Sequence, residues 1–465
     1  MFAEDSVAAR GLTMAPRPRL EALPPLALYI HVPWCVRKCP YCDFNSHALR
    51  GRIPERRYID ALLRDLGLAL PEVWGRRVHS VFFGGGTPSL LSAEAVDAIL
   101  SAIRARVPLD AHAEITLEAN PGTVEAEKIA GLRAAGVNRL SLGVQSFDDR
   151  MLQAIGRVHD GAQACRALEL ALAVFDNVNL DLMYGLPGQT LEGCRRDVET
   201  AAAFGVPHVS AYHLTIEPNT YFHRHPPVLP DEDTAAAMEE VVEESLAARG
   251  YVHYETSAYA RPGWECRHNL NYWRFGDYLG IGAGAHSKVS FPDRIVRSWR
   301  CKQPKAYMER VEQGAPVEAT QEVPVDELPF EFMMNALRLH QGFEAALFEA
   351  RTGLPLAVVL PVLGLAESKG LVIWDQGRFV PTLLGRRFLN DLLALFLPGK
   401  APEGKRHGRP PPGGGIHGNQ ERLAPAASDP VGPVGGRDRP AQGGAGPGER
   451  GRSAHTESRH GQGVE

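Results

Sequence analysis

The sequence has no apolar run approaching the roughly 18 residues that a membrane-spanning helix needs, so no transmembrane segment is expected. Its first residues include Glu4 and Asp5 and no apolar core, which argues against a secretory leader; Met14 is an alternative start to Met1. Net charge is small, −5 over 465 residues, leaving no electrostatic case for nucleic acid or an anionic membrane. Cysteines are few and odd in number, seven in all. That speaks against a disulfide framework and for a reducing, cytoplasmic setting. No G-x4-G-K-[ST] phosphate loop occurs, and no G-x-G-x-x-G opens a helix. Residues 398–465 contain no Phe, Tyr or Trp and are dense in Gly and Pro. Such a segment cannot bury enough apolar surface to offset chain entropy, and a disordered tail is expected.

What is present begins with Cys35, Cys39 and Cys42, a C-x3-C-x2-C pattern. The apolar run Leu26 to Val32 reads as a buried strand leading straight into it, so the cysteines sit on the loop leaving that strand. Three thiolates on so short a loop can converge on one metal centre. A structural zinc site would want two separate cysteine clips, but Cys165, Cys194, Cys266 and Cys301 are scattered singly. A [4Fe–4S] cluster normally takes four thiolates, so three would leave one iron open. Cluster, zinc and simple packing or redox thiols all stand as readings of the spacing.

The pattern, with Tyr41 just before the last cysteine, resembles the radical S-adenosylmethionine (SAM) enzymes. The longer string Tyr29-Ile-His31-Val-Pro33-Trp34-Cys35 is similar to their oxygen-independent coproporphyrinogen oxidase branch. That resemblance implies a cluster on Cys35, Cys39 and Cys42 whose open iron takes the amino and carboxylate groups of SAM. In that family the reduced cluster cleaves SAM to a 5′-deoxyadenosyl radical.

Beyond the loop, strand-like and helical patterns alternate. Strands are expected at 26–32, 79–83, 114–117, 139–144, 179–183 and 208–214. Helices are expected at 54–70, 92–106, 124–135, 148–174 in two pieces, 190–204 and 232–249. Serial units of this kind build a parallel sheet with right-handed crossovers, here an open or partial (β/α)6 barrel within an α/β fold. Sites then belong at the C-terminal ends of the strands. Strand two ends in Gly84-Gly85-Gly86-Thr87-Pro88, strand three in Glu118-Ala-Asn120, strand four in Gly143-Val-Gln145, and strand five carries Asp181. Consecutive glycines allow a bulky ligand close to the backbone. A carboxylate such as Glu118 can accept both ribose hydroxyls. The resemblance puts the methionine end of SAM on Gly85, Gly86 and Thr87. It also puts Tyr29, Tyr41, Glu118, Gln145, Arg157 and Asp181 at SAM-contacting positions, Arg157 being read within a helix.

Past strand six comes an extended run, 251–259, then His268-Asn269-Leu-Asn271-Tyr272-Trp273. Tyr272 and Trp273 can line a flat apolar ligand, and imidazole is a common axial ligand of haem iron. A lone histidine is otherwise an ordinary satisfied polar residue. The H-N-x-x-Y-W string is similar to that of the haem chaperones related to the coproporphyrinogen oxidases, which implies a haem site on His268, Asn269, Tyr272 and Trp273. The glycines of 280–284 are expected to let backbone pass close beside the site. Residues 305–397 read as mostly helical, with helices at 327–339, 354–369 and 383–396 and short strands at 371–374 and 378–382. This resembles the small winged-helix-like C-terminal domain of the family.

The domains expected are an N-terminal extension (1–24), a radical SAM core with the haem motif (25–300), a helical domain (301–397) and the tail. Two functions compete. One is a haem chaperone, retaining cluster and SAM site, with haem, an acceptor protein and a reductant protein as partners. The other is a coproporphyrinogen III oxidase. The oxidases resemble C-x3-C-x2-C-x-C, and Phe44 stands where their fourth cysteine would be; this favours the chaperone.

Overall fold

The computed structural model describes residues 18–398. Met14, most of the N-terminal extension and all but the first residue of the tail lie outside the described residues. The six expected parallel strands are all there. They are β1 (Leu26–Val32), β2 (Val78–Gly85), β3 (Leu109–Ala119), β4 (Arg139–Gln145), β5 (Val178–Tyr184) and β6 (His208–His213). Each pairs in parallel with the next. Their apolar residues are buried on both faces, as parallel strands covered by helices require. The covering helices are α1 (Glu55–Ala69), α2 (Ala93–Arg106), α3 (Ala126–Ala135), α4 (Asp149–Ala154), α5 (Gly161–Leu172), α6 (Leu191–Ala203) and α7 (Glu232–Ala247). Several begin where the sequence says they should. Ser92, Asp160, Thr190 and Asp231 each accept a backbone N–H of the first turn.

The sheet is twice as wide as the alternating pattern implied. It has 12 strands, because both edges of the parallel core are extended. On the β6 side lies the hairpin β7 (Val252–Glu255) and β8 (Ala258–Ala260). Helix α8 (Arg267–Trp273) then returns the chain to the far edge, where β9 (Asp277–Ile281) pairs in parallel with β1. There follow β10 (His286–Phe291), β11 (Arg294–Arg300) and, after α9 (Pro304–Glu312), β12 (Val317–Glu322), all antiparallel. Residues 304–322 therefore pack on the main sheet, and the second hydrophobic core gathers mainly after Glu322 rather than at 301. It is formed by α10 (Leu328–Ala336), α11 (Ala345–Thr352), α12 (Leu360–Ser368) and a small sheet of Phe343–Glu344, β13 (Val372–Asp375) and β14 (Arg378–Pro381). Helices α13 (Leu383–Arg387) and α14 (Leu389–Ala394) close it.

Two local expectations are corrected. The helix expected over 354–369 is a 3-10 turn at Leu356–Val358 followed by α12, since Pro355 and Pro361 each belong at a helix start rather than inside one. Arg157 lies in the loop after α4, not in a helix: Gly156 adopts φ +72° and ends the helical run.

Candidate functional site

The cysteine loop is pinned at several points. Trp34–Cys35 pairs with His47–Ala48 in a short parallel ladder. Asn45 donates from Nδ2 to the carbonyls of Ala283 and Lys302, both at 2.9 Å, and its own carbonyl lies 2.9 Å from His31 Nε2. Lys38 Nζ donates to the carbonyls of Phe44 and Ser46. Held so, Cys35, Cys39 and Cys42 line one cavity of about 180 Å³, and no cysteine of the chain is in a disulfide. Among the described residues, no three His, Cys, Asp or Glu side chains stand close enough to hold a single ion. Three thiols lining one cavity suit a cluster that has one iron left open.

The far wall of this cavity comes from the strand ends. Gly85 has φ +108°, and a Cβ on it would meet the His31 ring at 2.5 Å; a Cβ on Gly86 would meet the Trp34 carbonyl at 2.5 Å. These glycines are thus required by the strand-to-loop packing itself, before any ligand is considered. Thr87 accepts from Asn120 Nδ2 at 2.9 Å. Arg157 donates to Asn120, to the Gly143 carbonyl at 2.6 Å and to Cys39 Sγ at 3.6 Å. Gln145 is in the left-handed region, φ +74°, a conformation costing on the order of 1–3 kcal/mol in a non-glycine residue. Its Oε1 is buried with no hydrogen-bond partner. A strained residue with an unpaired acceptor, in the lining of the cavity, is one that a ligand donor would satisfy. Glu118 and Asp181 complete the wall. Burial, then the facing Asp181 charge, push the Glu118 carboxyl up to about 8. Burial likewise raises Asp181, against hydrogen bonds from Asn179, Ser210 and Tyr212.

Beside it lies a second cavity of about 420 Å³, sharing Cys42, Phe44 and Glu118 as a common wall. His268, Asn269, Tyr272 and Trp273 line it together, all nearly buried on α8. Helix α8 is oriented by Glu114 of β3, whose carboxylate accepts the backbone N–H groups of Arg267 (3.1 Å) and His268 (2.9 Å). The carboxylate supplies the cap that Cys266 does not. The His268 ring stacks on Phe82 at 4.8 Å and meets Tyr272 edge-on at 4.9 Å. Its Nδ1 is 2.9 Å from Ser80 Oγ, while its Nε2 is buried with no partner. Burial, with Arg139 nearby, lowers its pKa to about 3, so the ring is neutral. The neutral tautomer with its proton on Nδ1 donates to Ser80 Oγ and leaves the Nε2 lone pair available. The Trp273 ring is backed by the Arg338 guanidinium at 5.0 Å.

Residues 29–201 match the Radical SAM superfamily and residues 323–388 match the HemN C-terminal domain. The chain is 51% identical over 377 residues to the heme chaperone HemW of Escherichia coli, covering 81% of this chain and 99% of that one. It is 48% identical over 381 residues to the heme chaperone HemW of Haemophilus influenzae, covering 81% and 98%. The chain belongs to the HemW family. A solved structure, the coproporphyrinogen III oxidase HemN of Escherichia coli, superposes with a TM-score of 0.69 at 25% identity, over 80% of this chain and 90% of that one.

Radical SAM membership of this HemW-family chain implies a [4Fe–4S] cluster and SAM, and the first cavity fits them. Cys35, Cys39 and Cys42 would hold the cluster, and Gln145, Glu118 and Asp181 line the space left for SAM. When bound, that pair of groups supplies one-electron chemistry. Tyr41, Gly85, Gly86, Thr87, Glu118, Gln145, Arg157 and Asp181 all line this cavity. Tyr29 does not: it lies in the lining of the second one, its hydroxyl 3.1 Å from His31 Nδ1 and its ring stacked on Phe82. Sequence reading passed over Ser80, Phe82 and His31 as site residues. Their signal was the two-residue period, which turns Tyr29 and His31 of β1 and Ser80 and Phe82 of β2 to one side of the sheet. Among the described residues, no helix is long and apolar enough to cross a membrane.

Proposed function

We propose that this protein is a haem chaperone that takes haem as cargo in the second cavity and passes it to an acceptor protein. Cluster and SAM occupy the adjoining cavity, with a reductant protein supplying electrons in a cytoplasmic setting. The observation carrying the proposal is the buried, unpartnered Nε2 of His268, a residue that lines the second cavity together with Tyr272, Trp273 and Tyr278. Imidazole supplies an axial ligand to the iron. The aromatic rings supply apolar area to the macrocycle, each worth about 1–3 kcal/mol when covered. Ser80 orients the imidazole, as the hydrogen-bonded partner of a metal-ligating histidine does.

The competing reading is oxidative decarboxylation of coproporphyrinogen III, favoured by the fold shared with the oxidase HemN. Phe44 argues against it, because the wall between the two cavities carries an apolar ring where the oxidase pattern has a fourth cysteine. Haem binding and porphyrinogen turnover measured on one anaerobically reconstituted sample separate the two. Haem bound in stable complex with no protoporphyrinogen IX formed is the expected result. Robust turnover with SAM and reductant would move the assignment to the enzyme.

A further inference from the structure

A continuous chain of buried hydrogen bonds runs from Asp181 in the first cavity to the start of α8, the helix that lines the second. It starts at α8, where the Cys266 N–H donates to the Tyr254 hydroxyl at 3.2 Å. The Tyr254 hydroxyl lies 2.8 Å from His208 Nε2, and His208 Nδ1 lies 2.6 Å from Asn179 Oδ1. Asn179 Nδ2 then donates to Asp181 Oδ1 at 2.7 Å and to Ser141 Oγ at 2.7 Å. His208 and Cys266 are 0% exposed, Asn179 2% and Tyr254 6%.

With Asp181 ionised the chain runs one way only. A carboxylate only accepts, so the Asn179 amide must turn its NH2 toward Asp181 and its oxygen toward His208. The imidazole proton is then on Nδ1, and Nε2 accepts from the Tyr254 hydroxyl, whose oxygen is left for the Cys266 N–H. Every member is satisfied, and such chains strengthen cooperatively in a low-dielectric interior. The opposite polarity needs a proton on Asp181, the amide turned over and the imidazole proton on Nε2. It leaves the Tyr254 proton without an acceptor in the chain, so the ring must shift against the Cys266 N–H. Asp181 faces Glu118 and Arg139, and SAM would bring hydroxyl donors to it. These are two discrete arrangements of one element that touches both sites, which is what a coupling requires.

We infer that this chain couples the two cavities, so that a ligand on Asp181 changes the affinity of α8 for cargo, with Tyr254 and His208 as positioning residues. The inference rests on the function proposed above. The test is haem titration of the cluster-reconstituted full chain with and without saturating SAM, followed by the Soret band. In the wild-type protein SAM should change the haem Kd by about fivefold or more, and haem should change the SAM Kd by the same factor. Tyr254→Phe should bring that ratio to within about twofold, with the Soret position of the complex retained; His208→Gln serves if Tyr254→Phe fails to fold. A ratio of one in wild type would overturn the coupling. A ratio that survives both substitutions would also overturn it, routing the effect through the shared wall of Phe44 and Glu118. Failure of the underlying reading looks different: haem binding would then be indifferent to His268→Ala.

Discussion

The two cavities share a wall but are built in opposite ways. The cluster cavity is assembled from short contiguous motifs, one at the end of each successive parallel strand: Cys35–Cys42, Gly85–Thr87, Glu118, Gln145 and Asp181. The second cavity is assembled across the sheet, from β1, β2, β9, the start of β10 and the crossing helix α8. Its decisive polar contact, Ser80 with His268, spans 188 residues of chain. A site of the first kind announces itself in sequence, because each strand end carries its own glycine, carboxylate or amide. A site of the second kind shows only the fragment that is contiguous, here the six residues from His268 to Trp273.

This comparison can be broken from the cluster side, where the largest effect is expected. Replacing Cys35, Cys39 or Cys42 by Ala should abolish a reconstituted cluster of about four irons. Replacing Cys165, Cys194 or Cys301 should leave it intact, as iron and sulfide analysis with anaerobic absorbance spectra would show. The same loop variants should keep haem binding within a few-fold. Collapse of haem binding with the cluster would mean the cavities are one site rather than two.

Ser80→Ala tests the other side. It removes the partner of His268 Nδ1 without touching cargo, so haem affinity should fall roughly tenfold or more, as expected on losing the orienting group behind a metal-ligating imidazole. Ser80→Thr should restore most of it. An affinity unchanged in Ser80→Ala would show that the hydroxyl does not position the ring.

The shared wall gives a test that reads stability rather than binding. The Glu118 carboxyl rises from 4.5 to about 8 on folding. Between those values the folded state holds a proton that the unfolded state has lost, so stability falls as pH rises, by up to ~1.4 kcal/mol per pH unit. Glu118→Gln should flatten that slope and leave the protein more stable than wild type near pH 8. Denaturant unfolding across pH 5 to 9 reads this out; parallel slopes in the two proteins would contradict it.

The fold was legible for the same reason as the first cavity. Buried runs such as Leu26–Val32 are apolar but for His31, and Pro and Gly punctuate them. The outer strands were not legible, because they bury charge. Lys288 on β10 is 2% exposed and pairs with Asp277, and Arg300 on β11 is 1% exposed and pairs with Asp65. A run such as HSKVSF or RIVRSWR reads as surface until the distant carboxylate that neutralises it is known. Strand β12 is an exposed edge with little apolar pattern of any period. The cavity that Tyr29 lines was hidden on the same ground. Its position beside the cysteines is set by sequence, but the cavity it faces is set by the alternation along β1 and by its ring contact with Phe82.

The central claim is that the unpaired Nε2 of His268 is the cargo ligand. The most direct measurement is a haem titration of His268→Ala beside wild type, read by the Soret band, with circular dichroism and iron content as controls. The account predicts weakened binding and a shifted Soret band with fold and cluster intact, while Trp273→Ala weakens binding with less spectral change. A titration and spectrum unchanged in His268→Ala would contradict it.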